Sequence, residues 1–112
     1  MVARPVQRYA IYFADLDPVR GREIAKRRPV VVVSRPEMNR YSDTVVVCPI
    51  ISTLHPTWRS RIGIACAGRS AEIAVDQIRT ISKERLGRRV DTLDAQSAAE
   101  LRRLIGEMYG DG

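Results

Sequence analysis

The chain has 112 residues, enough for one domain, and its 19 Lys and Arg against 13 Asp and Glu give a net charge of +6. A hydrophobic share of 45% excludes a disordered tail as the main content, and apolar runs such as Pro29 to Val33 are far too short for a membrane span. The two cysteines, Cys48 and Cys66, fit neither a disulfide framework nor a zinc site.

Ala10 to Asp15 is rich in strand formers and reads as a first strand. Asp17-Pro18-Val19-Arg20-Gly21 is turn chemistry, and Arg22 to Arg28 reads as a charged loop leading to a strand opened by Pro29. The β-branched run Val30 to Ser34 predicts a strand buried on both faces. Arg35 to Asp43 reads as a loop, Thr44 to Ile51 as a strand and Ser52 to Ser60 as a second loop. A strand over Arg61 to Ala65, a turn at Gly68 to Ser70 and strands over Glu72 to Val75 and Gln77 to Thr80 follow. Asp94 is placed to cap a helix with apolar positions Ala98, Leu101, Leu104, Ile105 and Met108, which Gly110 ends. Many short strands followed by one helix predict a mostly β fold: a small barrel or curled sheet with a covering helix.

The positive charge fits a polyanionic partner, although a charged surface serves solubility equally well. Lys26 and Lys83 are the only lysines. Arginine, with its rigid fork, grips a phosphate where lysine offers a point charge. His55 is the only histidine, which excludes any mechanism needing a pair, and His55-Pro56 reads as a surface loop. The acids Asp15, Asp17, Glu23, Asp43, Glu72 and Asp76 are scattered, unlike the clustered carboxylates of a two-metal nuclease. No glycine-rich phosphate loop is present, so no nucleotide cofactor is expected. Arginine, hydroxyls and a few carboxylates suit metal-free cleavage of RNA, whose 2′-OH already stands beside the phosphate. Trp58 and Tyr41, in polar loops, are candidates for base stacking; Trp58 would serve equally as a core residue.

Tyr12 to Glu23, with its Asp15-Leu16-Asp17-Pro18 and Gly21-Arg22-Glu23, and then Lys26-Arg27-Arg28-Pro29 before an apolar strand, resemble the MazF/PemK toxins. Asn39 with Tyr41, Val47-Cys48-Pro49-Ile50, and Asp76-Gln77-Ile78-Arg79-Thr80-Ile81 agree with the same family. The resemblance implies an SH3-like β-barrel with a C-terminal helix, a homodimer, and a ribosome-independent endoribonuclease; the two cysteines and the absence of an export signal make the cytoplasm the expected compartment. Such a toxin cleaves single-stranded RNA without metal, by 2′-OH attack, and is covered by a cognate antitoxin.

Carried over by position, the resemblance makes Arg28 the catalytic arginine, with Glu23 and Asp76 as acidic contributors. RNA contacts are expected from Lys26, Arg27, Tyr41, Trp58, Gln77 and Arg79. Two departures stand out. The first strand opens Arg8-Tyr9-Ala10, where the family has Arg-Gly-acidic. Ile51 occupies the usual threonine position, so Ser52, and Thr53 beyond it, become the candidate hydroxyls. Two other readings stay open: a member that binds RNA or antitoxin with impaired catalysis, and a toxin acting on a protein target as the related CcdB toxins do.

Overall fold

The computed structural model describes residues 5–16, 21 and 26–110. The expected Asp17–Gly21 turn falls almost wholly outside these residues, as does Glu23. The elements run β1 (Ala10–Asp15), β2 (Arg27–Val32), α1 (Pro36–Tyr41), β3 (Thr44–Ile51), β4 (Arg61–Cys66), β5 (Arg69–Ala74), β6 (Arg79–Ser82), β7 (Leu86–Thr92) and α2 (Ala95–Tyr109). Short 3-10 turns at Val75–Gln77 and Lys83–Arg85 flank β6.

The strand pairs among the described residues are antiparallel, in the order β4-β5-β3-β2-β1-β7, with β6 also against β3. β3 serves two sheets. Its first four residues pair with β6, and Ile50 and Ile51, at its end, pair with β5. Strands β7, β1, β2, β3 and β6 curl round, and the Lys83–Arg85 turn joins β6 to β7 across the open seam. This is the expected SH3-like curl.

Side chains alternate across each strand. Tyr12, Ala14, Val30, Val32, Val45, Val47 and Ile81 share one core, inside the curl. Ile11, Val31, Val33, Cys48 and Ile50 face the other way, beneath Ile62 and Ile73 of the β4–β5 hairpin and Leu101 and Leu104 of α2. The continuous Val30–Val33 run thus has a cover on each side. Burial pushes the Cys48 thiol up to about 12, with the nearby Asp76 charge adding to the effect, so this cysteine is a packing residue.

Five elements differ from the sequence expectations. Arg27 and Arg28 are the first residues of β2 and not part of a loop, because their backbone pairs with Asp15 and Ala14 of β1. The β2–β3 pairing begins at Val30, just beyond Pro29, which has no N–H to donate. Arg35–Asp43 contains α1, started by Pro36, whose fixed φ suits a first helical position. Within it Asn39 is 2% exposed; its amide donates to the carbonyls of Ser34 (2.9 Å) and Val6 (3.3 Å).

The hairpin turn is Ala67-Gly68, both with positive φ, so Ser70 lies in β5. Val75–Gln77 is a 3-10 turn, which delays β6 to Arg79. β7 has no counterpart in the sequence reading. It is an edge strand whose Arg88 and Arg89 are exposed, so it lacks the apolar alternation that marks a strand.

Asp94 caps α2 as expected, its carboxylate accepting from the Ser97 N–H at 2.7 Å. Ala98, Leu101 and Leu104 are buried, Ile105 is half-buried and Met108 is exposed. Gly110 ends the helix without left-handed backbone. A Cβ there would come within 2.5 Å of the Gly106 carbonyl oxygen, which only glycine avoids. Leu101→Ala is expected to destabilise the protein by about 2–5 kcal/mol in urea denaturation. Met108→Ala should change stability by less than about 0.5 kcal/mol. Equal effects would mean that α2 is not docked by this face.

Candidate nucleic-acid interface and active site

The β1–β2 register pairs Arg28 with Ala14, on the face that lines the curl, and Arg27 with Asp15, on the outer face. Arg28 is half-buried and Arg27 exposed. The β2–β3 pairing stops at Val30–Pro49, and beyond it Ile51 pairs with Glu72 of β5. Arg28 therefore continues the row of Val32 and Val30 to the mouth of the curl, where the apolar lining ends. Arg79 enters the same mouth from β6. It shares a face with Ile81, and its Nη1 stands 3.5 Å from the carbonyl oxygen of Leu16, just past the end of β1.

Beyond Ile51 the chain leaves the sheet. Ser52 and Thr53 are both exposed at the start of the loop. Trp58, 46% exposed, stacks on His55 with centroids 3.9 Å apart, and the Arg61 guanidinium lies 4.6 Å from its ring. Trp58 is therefore not a core residue.

Beneath this loop lies a group of charges that the sequence reading did not assemble. Arg61 opens β4 and donates from Nε to one Asp76 oxygen at 2.8 Å and from Nη2 to the other at 3.4 Å. Its Nη1 is 3.7 Å from Oε1 of Glu72, whose Oε2 accepts the His55 N–H at 2.7 Å. Burial works to raise the Asp76 carboxyl, but bonds from Arg61 and Ser60 and the Arg61 charge outweigh it and hold the group below the usual range. The signal available in the sequence was Glu72 itself, a lone acid in the apolar stretch Ala71-Glu72-Ile73-Ala74. A charge in such a place needs a buried partner.

Three comparisons bear on this arrangement. Residues 7–109 match the family model of the PemK-like, MazF-like toxins of type II toxin–antitoxin systems. The chain belongs to this family. It is 38% identical over 97 residues to endoribonuclease EndoA of Bacillus subtilis, covering 80% of this chain and 81% of that protein. It is 32% identical over 113 residues to endoribonuclease MazF of Staphylococcus saprophyticus, covering 94% and 92%. The crystal structure of MazF from Deinococcus radiodurans superposes with a TM-score of 0.85 at 22% identity, covering 96% of this chain and 99% of that one, a likeness of fold.

Of the residues that the MazF/PemK resemblance singled out, Arg28 ends the inward row of β2, Arg79 pairs with Val47 of β3, and Ser52 and Thr53 follow the end of β3. Gln77, half-buried, stands two residues before Arg79 in the 3-10 turn, and Trp58 is on the same loop as Ser52. Asp76 has both oxygens on Arg61. Lys26, exposed with φ 71, precedes β2, and Arg27, whose guanidinium lies 5.7 Å from the Phe13 ring, starts that strand on the outer side. Tyr41 is 81% exposed and precedes β3, so the length of that eight-residue strand, about 23 Å, separates it from Ser52 within one chain. Glu23 lies outside the described residues. Among the described residues no group of His, Cys, Asp and Glu is arranged to hold a metal ion, and no helix is long and apolar enough to cross a membrane.

Asp76→Asn is expected to cost about 1.5–3 kcal/mol at neutral pH, since it weakens charged hydrogen bonds to a buried guanidinium. The folded carboxyl takes its proton less readily than the unfolded one. Its contribution is therefore complete above the ordinary aspartate range and is lost as pH falls through that range and below it. Unfolding free energies of both proteins across the acid range check this. A gap that does not narrow in acid would reject it.

Proposed function

We propose that this toxin is an endoribonuclease that cuts single-stranded RNA at the mouth of the curl. The observation that carries this reading is the half-buried Arg28 at the end of the inward apolar row of Val32 and Val30, at the mouth of the curl. The ribose 2′-oxygen attacks the adjacent phosphorus as the bond to the 5′-oxygen breaks. A 2′,3′-cyclic phosphate and a free 5′-hydroxyl result, the 2′-proton leaving and the 5′-oxygen gaining one. The guanidinium of Arg28 stays protonated at working pH and stabilises the charge on the phosphate oxygens. Ser52, with Thr53 next to it, donates the hydrogen bond that Ile51 cannot. Glu23 is the carboxylate left to handle protons, and Asp76, held by Arg61, contributes as an anchor.

Arg79 at the mouth, with Gln77 and Trp58, offers phosphate, amide and stacking contacts; Lys26 and Arg27 add basic surface at the start of β2. Tyr41 falls outside this surface. Single strands are favoured because a duplex hides the base edges. A second copy of the chain and an acidic segment of the cognate antitoxin are the proposed protein partners, the latter drawn by the arginines at the mouth. The cytoplasm, where its RNA substrate is found, is the proposed compartment.

Arg28→Ala is expected to lower cleavage of a single-stranded RNA by about 10²–10³, or about 2.7–4 kcal/mol, in the presence of a chelator. Activity within about threefold of wild type would remove Arg28 from the mechanism. Cyclic phosphate ends on the products and loss of cutting after annealing a complementary strand complete the test. Ile51 favours a second reading, a member slowed by its missing threonine. If Ile51→Thr raises the rate while Ser52→Ala and Thr53→Val leave it unchanged, the hydroxyl assignment is wrong and the second reading holds.

A further inference from the structure

Glu72 is 3% exposed in the middle of β5, and nothing in the cleavage chemistry uses it. Its backbone pairs with Ile51, the last residue of β3. Its side chain, on the same face as that of Ile51, accepts the N–H of His55 at 2.7 Å. One residue thus holds the chain on both sides of Ser52-Thr53-Leu54, and these three form the arc between. Arg61, at the far end of the loop, approaches the other Glu72 oxygen to 3.7 Å, and neither of those two atoms has a hydrogen-bond partner among the described residues. The Arg61 guanidinium also lies against Trp58, which stacks on His55.

A buried ion pair is a poor source of stability, since apolar residues of the same volume serve as well or better. What a carboxylate adds at position 72 is an acceptor for the amide of a loop that has no strand to pair with. We propose that Glu72 is a positioning residue for RNA cleavage: it staples the Ser52–Leu54 arc and so fixes where the Ser52 and Thr53 hydroxyls stand beyond the end of β3. Arg61 in turn holds the Glu72 carboxylate in place and is itself held by Asp76. The proposal rests on the endoribonuclease reading and its assignment of the hydroxyls.

Three variants test it. Glu72→Ala is expected to lower kcat more than about tenfold with KM within about threefold of wild type. Glu72→Gln, which keeps an oxygen for the His55 N–H, should recover most of that loss. Glu72→Val with Arg61→Met replaces the pair by apolar side chains and, once circular dichroism has verified that it is folded despite the lost Arg61–Asp76 bonds, should show the same kcat loss as Glu72→Ala. In a Ser52→Ala/Thr53→Val background, Glu72→Ala should cost nothing more, because it acts through those hydroxyls.

An equal loss with and without the hydroxyls, no recovery in Glu72→Gln, or full activity in the apolar pair would overturn the proposal. Hydrogen exchange at the His55 amide gives a readout independent of activity, expected to be slow in the wild type and at least about tenfold faster in the apolar pair. An active wild type with an unprotected His55 amide overturns the staple alone. A protected amide in a protein that leaves RNA intact overturns the endoribonuclease reading, and the role of Glu72 with it.

Discussion

β1, β2 and β3 bury side chains on both faces, and the rest of the molecule is arranged around that constraint. One face closes on itself as the five-stranded curl, and the other is roofed by the β4–β5 hairpin and α2. A chain of 112 residues has little apolar surface to spare, so one short sheet serving two cores is an efficient solution. It also explains why β3 is the longest strand: its first half belongs to the curl with β6, and its end belongs to the hairpin through β5. Deleting a side chain from either layer would leave a cavity beneath strands that cannot shift without disturbing the other.

Two-sided burial also dictates where charge can go. Nothing polar fits between Val30 and Val33, so Arg28 lies where that strand's apolar row ends. Arg28 is the continuation of an apolar row, which gives it a partly desolvated setting and a fixed direction. Such a setting strengthens a guanidinium's interaction with a phosphate compared with open water. Arg79 reaches the same mouth because β6 meets β3 in a register that points position 79 inward.

Loop 52–60 joins the two sheets at the point where β3 leaves the second of them. A loop there has few strand partners for its own amides, and Glu72 and Arg61 beneath it supply anchors from the hairpin. The aromatic pair His55–Trp58 lies on top of those anchors, and the hydroxyls lie at its start. Charge, stacking and hydroxyl groups are thus concentrated on one segment held by a rigid support, the usual relation between loop and scaffold.

The sequence by itself determined the strands with strong β-branched character, the capped helix, the two-sided burial of Val30–Val33 and, through Arg28-Pro29 and Asp76-Gln77, the family. Those features are local: propensity, periodicity and short spacing express them within a few residues. α1 was hidden because a six-residue helix has too little periodicity to read, and β7 because an edge strand carries charge in place of alternation. Only the tertiary structure decided that the two arginines lie in a strand and that Arg28, not Arg27, faces the curl, since that depends on pairing and register with β1. Likewise, Arg61, Glu72 and Asp76 meet under a loop from three separate positions, and Tyr41 is carried away from Ser52 by the length of β3. Proximity across strands is set by pairing and twist, which no spacing along the chain records.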